Sequence, residues 1–268
     1  MQPSLARLTD PEFDRYSRQI MLGDWGEDGQ QRLSGAKVLI VGCGGLGTAA
    51  GLYLAGAGVG QLILADDDVV ERSNLPRQVA YRETDLGRGK TTALAAQLKA
   101  LNSHIKCRAV KRRLEGTALS LEVSLADLVL DCSDNMATRQ AANAACVEHK
   151  KPLIAGAAIG WQGQLMTFDF RQPHQPCYHC LFAAVTEPKA RNCQSAGVAG
   201  PVVGTVGNLQ ALEAIKCLLG NELGASFYQF DAHTLSLKKM PIPRDPDCAV
   251  CRCRTTTHKE ASSADLAE

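Results

Sequence analysis

The stretch KVLIVGCGGLGTAAGLYLAGAGVGQLILADDD, residues 37–68, decides the fold. It opens on an apolar run rich in β-branched residues, Lys37 to Val41, which stops at Gly42, Gly44, Gly45 and Gly47. A short apolar run bounded by glycines reads as a buried parallel strand. Thr48 to Gly58 is rich in Ala and Leu and ends in glycines suited to a helix C-terminus. A second apolar run, Gln61 to Ala65, delivers Asp66, Asp67 and Asp68. Strand, glycine turn, helix, strand, acid is the dinucleotide-binding unit. Small residues let phosphate approach the helix N-terminus, and the acid bonds a ribose hydroxyl. The reading places a nucleotide near Gly45 and Asp66. The same spacing serves NAD, FAD and ATP users, and the bland alternative is a tight turn in a nucleotide-free sheet.

The 268 residues, 45% of them hydrophobic, suffice for one large domain or one domain with an elaborated second half. A formal charge of +1 with both signs interspersed argues against nucleic acid or a membrane surface as the main partner. The N-terminus MQPSLARLTD is polar and carries no signal peptide, so a cytoplasmic location is the default expectation. The 11 cysteines, an odd number, favour reduced thiols over a disulfide framework, and Cys132, Cys146 and Cys217 sit in apolar segments as small core residues.

Upstream, residues 1–12 read as a loose lead-in, after which Phe13, Tyr16, Ile20 and Met21 recur at helical spacing and are expected to dock one face. Arg15 and Arg18 then lie elsewhere, where a solvated face is the simpler reading. Downstream, Val69 to Arg82 has no clean period and reads as a loop over the C-terminal edge of the sheet, the edge at which open α/β sheets bind ligands. Asn74, Arg77 and Gln78 are placed there to reach a phosphate or sugar. Lys90 lies just before a helix from Thr91 to Leu101; a lysine at a helix N-terminus is opposed by the dipole unless an anion is present, so it points to phosphate or else to solvent.

A strand at Ile105 to Val110, a helix near Ala118 to Ser124 and a strand LVLD, Leu128 to Asp131, follow. Asp134 comes just after that strand and before a helix from Met136 to His149, placed for a metal or sugar hydroxyl or as a helix cap. Pro152 to Ala155 extends the parallel sheet. Beyond Gly156 the pattern changes: Gln164 to Phe170 alternates, Ser226 to Asp231 and Ser236 to Met240 read as strands, and Val206 to Leu219 as a helix. The expected fold class is therefore α/β, a Rossmann-like nucleotide-binding sheet (about 13–155) continued by a mixed, antiparallel half (about 156–254), as one unit over 1–254. The tail 255–268 is polar and expected to be disordered.

Cys177 and Cys180 lie in CYHC, Cys248 and Cys251 in CAVC. Two CxxC knuckles supply four thiolates for a closed, tetrahedral, structural zinc site, with no open position for catalysis. His179 and Cys253 read as bystanders. A redox pair is disfavoured because neither CxxC opens a thioredoxin-like helix. Cys193 stands apart in EPKARNCQSAGVAGP, where Arg191 would lower its pKa and make it reactive; an ordinary loop cysteine is the alternative.

Taken together, RYSRQI, GCGGLG, LADDDVVERSNLPRQ, GRGK, LDCSDNMATR, CYHC, NCQSAGV and CAVC resemble the E1-like adenylyltransferases of the ThiF/MoeB/HesA family over nearly the whole chain. CSDNMATR and EPKARNCQSAGV look most like the ThiF branch, which serves thiamine biosynthesis. The resemblance implies a homodimer that binds ATP and Mg²⁺ and adenylates the Gly-Gly terminus of a ubiquitin-like sulfur carrier protein, ThiS-like or, alternatively, MoaD-like for molybdopterin synthesis. It implies backbone contact at Gly45, a ribose bond at Asp66, phosphate contacts from Asn74, Arg77 and Lys90, with Gln78 and Asn135 beside them. It further implies Mg²⁺ positioning by Asp134, an arginine finger from Arg18 of the other subunit, and covalent capture at Cys193 on a crossover loop. No sulfurtransferase segment follows the core, so the sulfur donor is expected to be a separate cysteine desulfurase or sulfurtransferase. One departure is Pro76, in NLPRQ where the family has NLQRQ, which stiffens the loop beside Arg77. Two other readings compete: an NAD(P)-dependent oxidoreductase, which leaves Arg18, Arg77, Lys90 and Asp134 without a shared purpose, and a non-catalytic scaffold for a ubiquitin-like partner.

Overall fold

A computed structural model describes residues 8–183 and 197–252. Two helices lead in, α1 (Asp10–Ile20) and α2 (Gly26–Gly35). The unit read from the glycine-rich stretch follows as β1 (Lys37–Val41), α3 (Gly45–Ala57) and β2 (Gln61–Ala65), the helix starting at Gly45 rather than Thr48. The chain continues through α4 (Lys90–Leu101), β3 (Lys106–Val110), α5 (Gly116–Leu125), β4 (Leu128–Asp131) and α6 (Met136–His149). It ends with β5 (Leu153–Ile159), β6 (Gln162–Phe168), the short α7 (Tyr178–Leu181), α8 (Gly200–Leu218), β7 (Ser226–Asp231) and β8 (Ser236–Pro241).

All eight strands join one mixed sheet in the order β3-β2-β1-β4-β5-β6-β7-β8. Strands β3, β2, β1, β4 and β5 are parallel, and β5 to β8 pair antiparallel. Because side chains alternate along a strand, the central strands feed two cores. Val38, Ile40, Leu62, Leu64, Leu128 and Leu130 pack on one side with residues of α3, α4 and α8; Leu39, Val41, Ile63 and Val129 pack on the other with residues of α5 and α6. The edge strand β8 carries exposed Lys238 and Lys239, which discourage pairing with another sheet. Among the described residues no helix is long and apolar enough to cross a membrane.

The lead-in helix corrects one expectation. Of Phe13, Tyr16, Ile20 and Met21, only Tyr16 is buried, while Phe13 and Met21 remain 46% and 75% exposed. The reason is that α1 docks through polar groups. Gln19 Nε2 donates to Ala57 O at 2.8 Å and Arg15 Nη1 to Leu101 O at 3.2 Å, satisfying carbonyls at the C-terminal ends of α3 and α4. The Tyr16 hydroxyl accepts from Asn102 Nδ2 at 2.8 Å.

Helices α3 and α8 cross at unusually close range. A Cβ at Gly207 would lie 2.5 Å from the Leu46 carbonyl oxygen and 2.9 Å from Ala49 Cβ. Gly207→Val is therefore expected to lower the unfolding free energy by roughly 1–3 kcal/mol, the cost of overpacking a tight core, seen as a reduced urea midpoint at unchanged slope.

Candidate functional site

In sequence order the chain runs outward from β1 through β2 to β3, then returns to place β4 on the other side of β1. Beyond the C-terminal ends of β1 and β4 the connections part, and a cavity of about 430 Å³ opens there. Gly45, Asp66, Asn74, Arg77, Gln78, Lys90, Asp134 and Asn135 all line it. Eight residues spread over four loops and helix starts thus converge on one crevice.

Each is held for a local reason. Gly42 has a φ of 95°, and a Cβ on it would lie 2.7 Å from Cys132 O, so glycine is required where the turn leaves β1. A Cβ at Gly45 would meet Val203 and, at 2.7 Å, Arg77 O. The buried Tyr81 hydroxyl donates to Cys43 O at 2.7 Å and ties down the turn between them. Asp66 accepts from Cys43 N at 2.7 Å and from Asp68 N at 2.8 Å. Burial pushes its carboxyl above the usual range, against those two bonds and the Lys90 charge. The buried Lys90 Nζ pairs with Asp68 Oδ2 at 2.8 Å at the start of α4.

The loop carrying Asn74, Arg77 and Gln78 is closed by its own backbone: Arg77 N and Gln78 N both donate to Asn74 O, at 3.0 and 2.9 Å. Position 76 is needed as a donor in neither bond, so Pro76 fits. Asn74 Oδ1 accepts from Glu71 N at 3.2 Å, and Arg77 Nη1 donates to Ser73 O at 2.8 Å. Gln78 is buried, and its Oε1 has no hydrogen-bond partner. The cap of α6 is Asn135, whose Oδ1 accepts from Thr138 N at 2.9 Å, and not Asp134, which stays exposed at the cavity.

Arg18 is exposed on α1 and does not line this cavity. Gln19 beside it bonds the C-terminal end of α3, whereas the cavity lies at the N-terminal end, about 18 Å away along the helix. Cys193 lies outside the described residues, as do Arg191 and Cys253.

Sequence reasoning missed a buried polar belt beneath the Asp134 loop. Asp131 is fully buried and its Oδ1 accepts from Ser133 N at 3.0 Å and Ser133 Oγ at 2.6 Å. Arg139 Nη2 donates to Ser133 O at 2.7 Å and Gly156 O at 3.0 Å. Gln210 Nε2, from α8, bridges Asp131 O at 2.9 Å and Ile154 O at 3.1 Å. A lone glutamine in the apolar run VVGTVGNLQALEAI was the available signal. Arg112 and Arg113 also line the cavity, Arg113 lying 3.7 Å from Asp67.

On the face of the sheet covered by α5 and α6, Cys177, Cys180, Cys248 and Cys251 bring their sulfurs within 4.8 Å of one another. The pairs Cys177–Cys180, Cys177–Cys248 and Cys180–Cys251 stand at 3.9, 3.6 and 3.5 Å. Tetrahedral zinc with Zn–S near 2.3 Å requires sulfurs about 3.8 Å apart, so this donor set fits that ion. Burial pushes the Cys177 thiol up to about 12 and raises Cys251 as well, whereas Cys248, despite its burial, is lowered by hydrogen bonds from the Cys251 and Val250 backbone.

The profile of the ThiF family matches residues 16–250. The chain is 51% identical over 246 residues to the sulfur carrier protein ThiS adenylyltransferase of Escherichia coli K12, covering 91% of this chain and 97% of that protein. It is 43% identical over 249 residues to the molybdopterin-synthase adenylyltransferase of Salmonella typhimurium, covering 92% and 99%. The solved structure of Escherichia coli MccB with MccA-N7isoASN shares the fold, with a TM-score of 0.76 at 24% identity over 89% of this chain and 74% of that one.

The Asp131 carboxyl is raised, chiefly by burial and despite Arg139, so its folded pKa exceeds the unfolded one. The native state then binds the extra proton, and stability falls as pH rises from the ordinary carboxylate value upward. Asp131→Asn cannot titrate. As pH rises above about 4 its unfolding free energy, relative to the parent protein, should therefore move in the variant's favour, as urea unfolding at each pH will report. The opposite trend would mean that Arg139 holds Asp131 ionised.

Proposed function

The chain belongs to the ThiF family, and from that premise we propose that it adenylates the C-terminal Gly-Gly carboxylate of a ubiquitin-like sulfur carrier protein, a ThiS-like carrier of thiamine thiazole biosynthesis. The observation that carries this reading is the convergence of Gly45, Asp66, Asn74, Arg77, Gln78, Lys90, Asp134 and Asn135 on a single crevice at the C-terminal edge of the sheet. An NAD-dependent or purely scaffolding role leaves the cations of that crevice without a purpose.

In this reading the ribose of ATP bonds the Asp66 carboxylate, and the phosphates pass the N-terminus of α3 at Gly45, where the glycines admit them to unpaired backbone N–H groups. Asn74, Arg77 and Lys90 hold the phosphates, Lys90 exchanging its pairing with Asp68 for the ligand. Asp134 holds Mg²⁺, which offsets the charge of the triphosphate. The carrier tail enters past Gln162 and Gln164 of β6, which line the same cavity. Its carboxylate oxygen bonds the α-phosphorus, the bond from that phosphorus to the bridging oxygen breaks, and pyrophosphate leaves with the electron pair. The protein contributes positioning and charge stabilisation, the usual means of catalysis at phosphorus.

Arg18 acts in trans in this reading, from the second subunit of a homodimer, since α1 docks far from its own cavity. Residues 1–254 act as one adenylyltransferase unit, with zinc in the Cys177, Cys180, Cys248 and Cys251 cluster as a structural ion. Sulfur comes from a separate donor, a cysteine desulfurase or sulfurtransferase, and Cys193 captures the activated carrier covalently after adenylation, its sulfur bonding the terminal carbonyl carbon as the bond from that carbon to the adenylate oxygen breaks and AMP leaves.

Exchange of labelled pyrophosphate into ATP tests the reading, with a ThiS-like carrier in one reaction and a MoaD-like carrier in the other. Exchange with the ThiS-like carrier is expected. Exchange confined to the MoaD-like carrier would move the protein to molybdopterin synthesis, and exchange with neither would refute adenylation. Arg77→Ala should reduce the exchange rate by roughly 10²–10³-fold, the scale of losing one charge-stabilising donor. Cys193→Ser should leave exchange intact and abolish sulfur loading of the carrier; loading at the parent rate would remove Cys193 from the mechanism.

A further inference from the structure

Strand register sets the order of groups along the crevice. Ala65, the last residue of β2, pairs with Val41 of β1 on one side and Val110 of β3 on the other. Asp66 follows it and donates its backbone N–H to Val110 O at 3.3 Å. The carboxyl thus stands between the glycine turn after β1 and residues 111–114, which leave β3. Arg112, Arg113 and Leu114 of that segment line the crevice, and the proposed chemistry gives none of them a task. Leu114 is buried, so it presents an apolar wall. Arg113 Nε lies 3.7 Å from Asp67 Oδ2, which keeps the guanidinium one residue from Asp66. A nucleotide bears its phosphates at one end of the ribose and its base at the other. With the hydroxyls on Asp66 and the phosphates at Gly45, the base therefore points away from the glycine turn and over residues 111–114. A base taken out of water there needs apolar cover on one face and a group matched to its π-system on the other; a planar guanidinium is such a group.

We propose that Arg113 recognises the nucleobase: its guanidinium stacks on the base of the bound nucleotide, with Leu114 as the apolar wall and Asp67 as the tether. The inference rests on the nucleotide-binding part of the reading above and adds to it a group that discriminates between bases. Phosphate contacts cannot do so, because every nucleoside triphosphate carries the same phosphates. A stack grows with the area it covers, so a two-ring purine gains more from it than a one-ring pyrimidine. The ion pair with Asp67 is half-exposed on both sides, so it orients the side chain more than it stabilises the fold.

Equilibrium dialysis of labelled ATP with Mg²⁺ compares the parent, Arg113→Ala and Arg113→Lys, with unlabelled CTP and inorganic tripolyphosphate as competitors. The side chain is half-exposed, and its loss leaves the core untouched. Arg113→Ala should weaken ATP about 3–30-fold, the range of a cation–π contact at a partly desolvated site. CTP should weaken less and tripolyphosphate hardly at all, so the preference for ATP over CTP narrows. Arg113→Lys keeps the charge but loses the plane, and should bind ATP more like the Ala variant than the parent. In the pyrophosphate exchange reaction KM for ATP should rise while kcat holds, the mark of an interaction made equally in ground and transition states. Equal weakening of ATP and tripolyphosphate, or a Lys variant as tight as the parent, overturns the proposal, because charge alone would then account for Arg113. An unchanged ATP affinity in Arg113→Ala overturns it too. A parent protein that binds no ATP would instead sink the nucleotide reading, and the inference with it. A parent that binds ATP but exchanges pyrophosphate with neither carrier loses the adenylation reading, and the dialysis still decides the base contact.

Discussion

At the centre of the sheet, Val41 of β1 faces Asp131 of β4, and just beyond that pair the Gly42 backbone packs against the Cys132 carbonyl. The contact is so close that a side chain on residue 42 would lie 2.7 Å from that oxygen, and the turn takes a positive φ to make it. From this point the two chains diverge, one into the glycine turn and α3, the other into the Asp134 loop and α6. The crevice between them is the consequence. Tyr81 pins one wall by its bond to Cys43 O, and the tight crossing of α3 and α8 fixes the helix whose N-terminus faces the crevice.

The floor of the crevice is made of polar groups that water does not reach. Asp131, Ser133, Arg139 and Gln210 are buried behind the loop that carries Asp134. Burying such groups is unfavourable unless they satisfy one another. Here Gln210 bridges the carbonyls of Asp131 and Ile154, Arg139 bridges those of Ser133 and Gly156, and Asp131 Oδ1 accepts from Ser133, while Asp131 Oδ2 has no hydrogen-bond partner among the described residues. The loop is thereby held in shape before any ligand arrives, the condition under which charge stabilisation costs no reorganisation during reaction.

The thiol cluster solves a different problem. Its two pairs come from the segment after β6 and the segment after β8, with Cys177 and Cys248 71 positions apart. Closing so long a loop costs entropy, and a cation shared by both ends would offset it. Cys177, Cys248 and Cys251 also join the core on the face of α5 and α6, so the cluster closes one hydrophobic layer as well as one loop.

The strand–turn–helix–strand unit, the parallel order of its neighbours and the two CxxC knuckles were legible from the chain alone, because each is a local pattern. Glycines mark where backbone must approach backbone, apolar runs of strand length mark buried strands, and a thiol spacing of two is imposed by ligand geometry. The amphipathic reading of α1 failed because its docking is polar, through Gln19 and Arg15 to the ends of other helices, and periodicity registers apolar faces only. Asp134 read equally well as a ligand residue or a helix cap until the bond from Thr138 N assigned the cap to Asn135. Gln210, Arg139 and Asn143 were invisible for a related reason: their partners are backbone carbonyls and a backbone N–H contributed by other segments. By itself the sequence determined which local units exist and which residues are capable of the chemistry. Only the tertiary structure decided which buried polar groups support them, because that support is made of contacts between residues far apart in the chain.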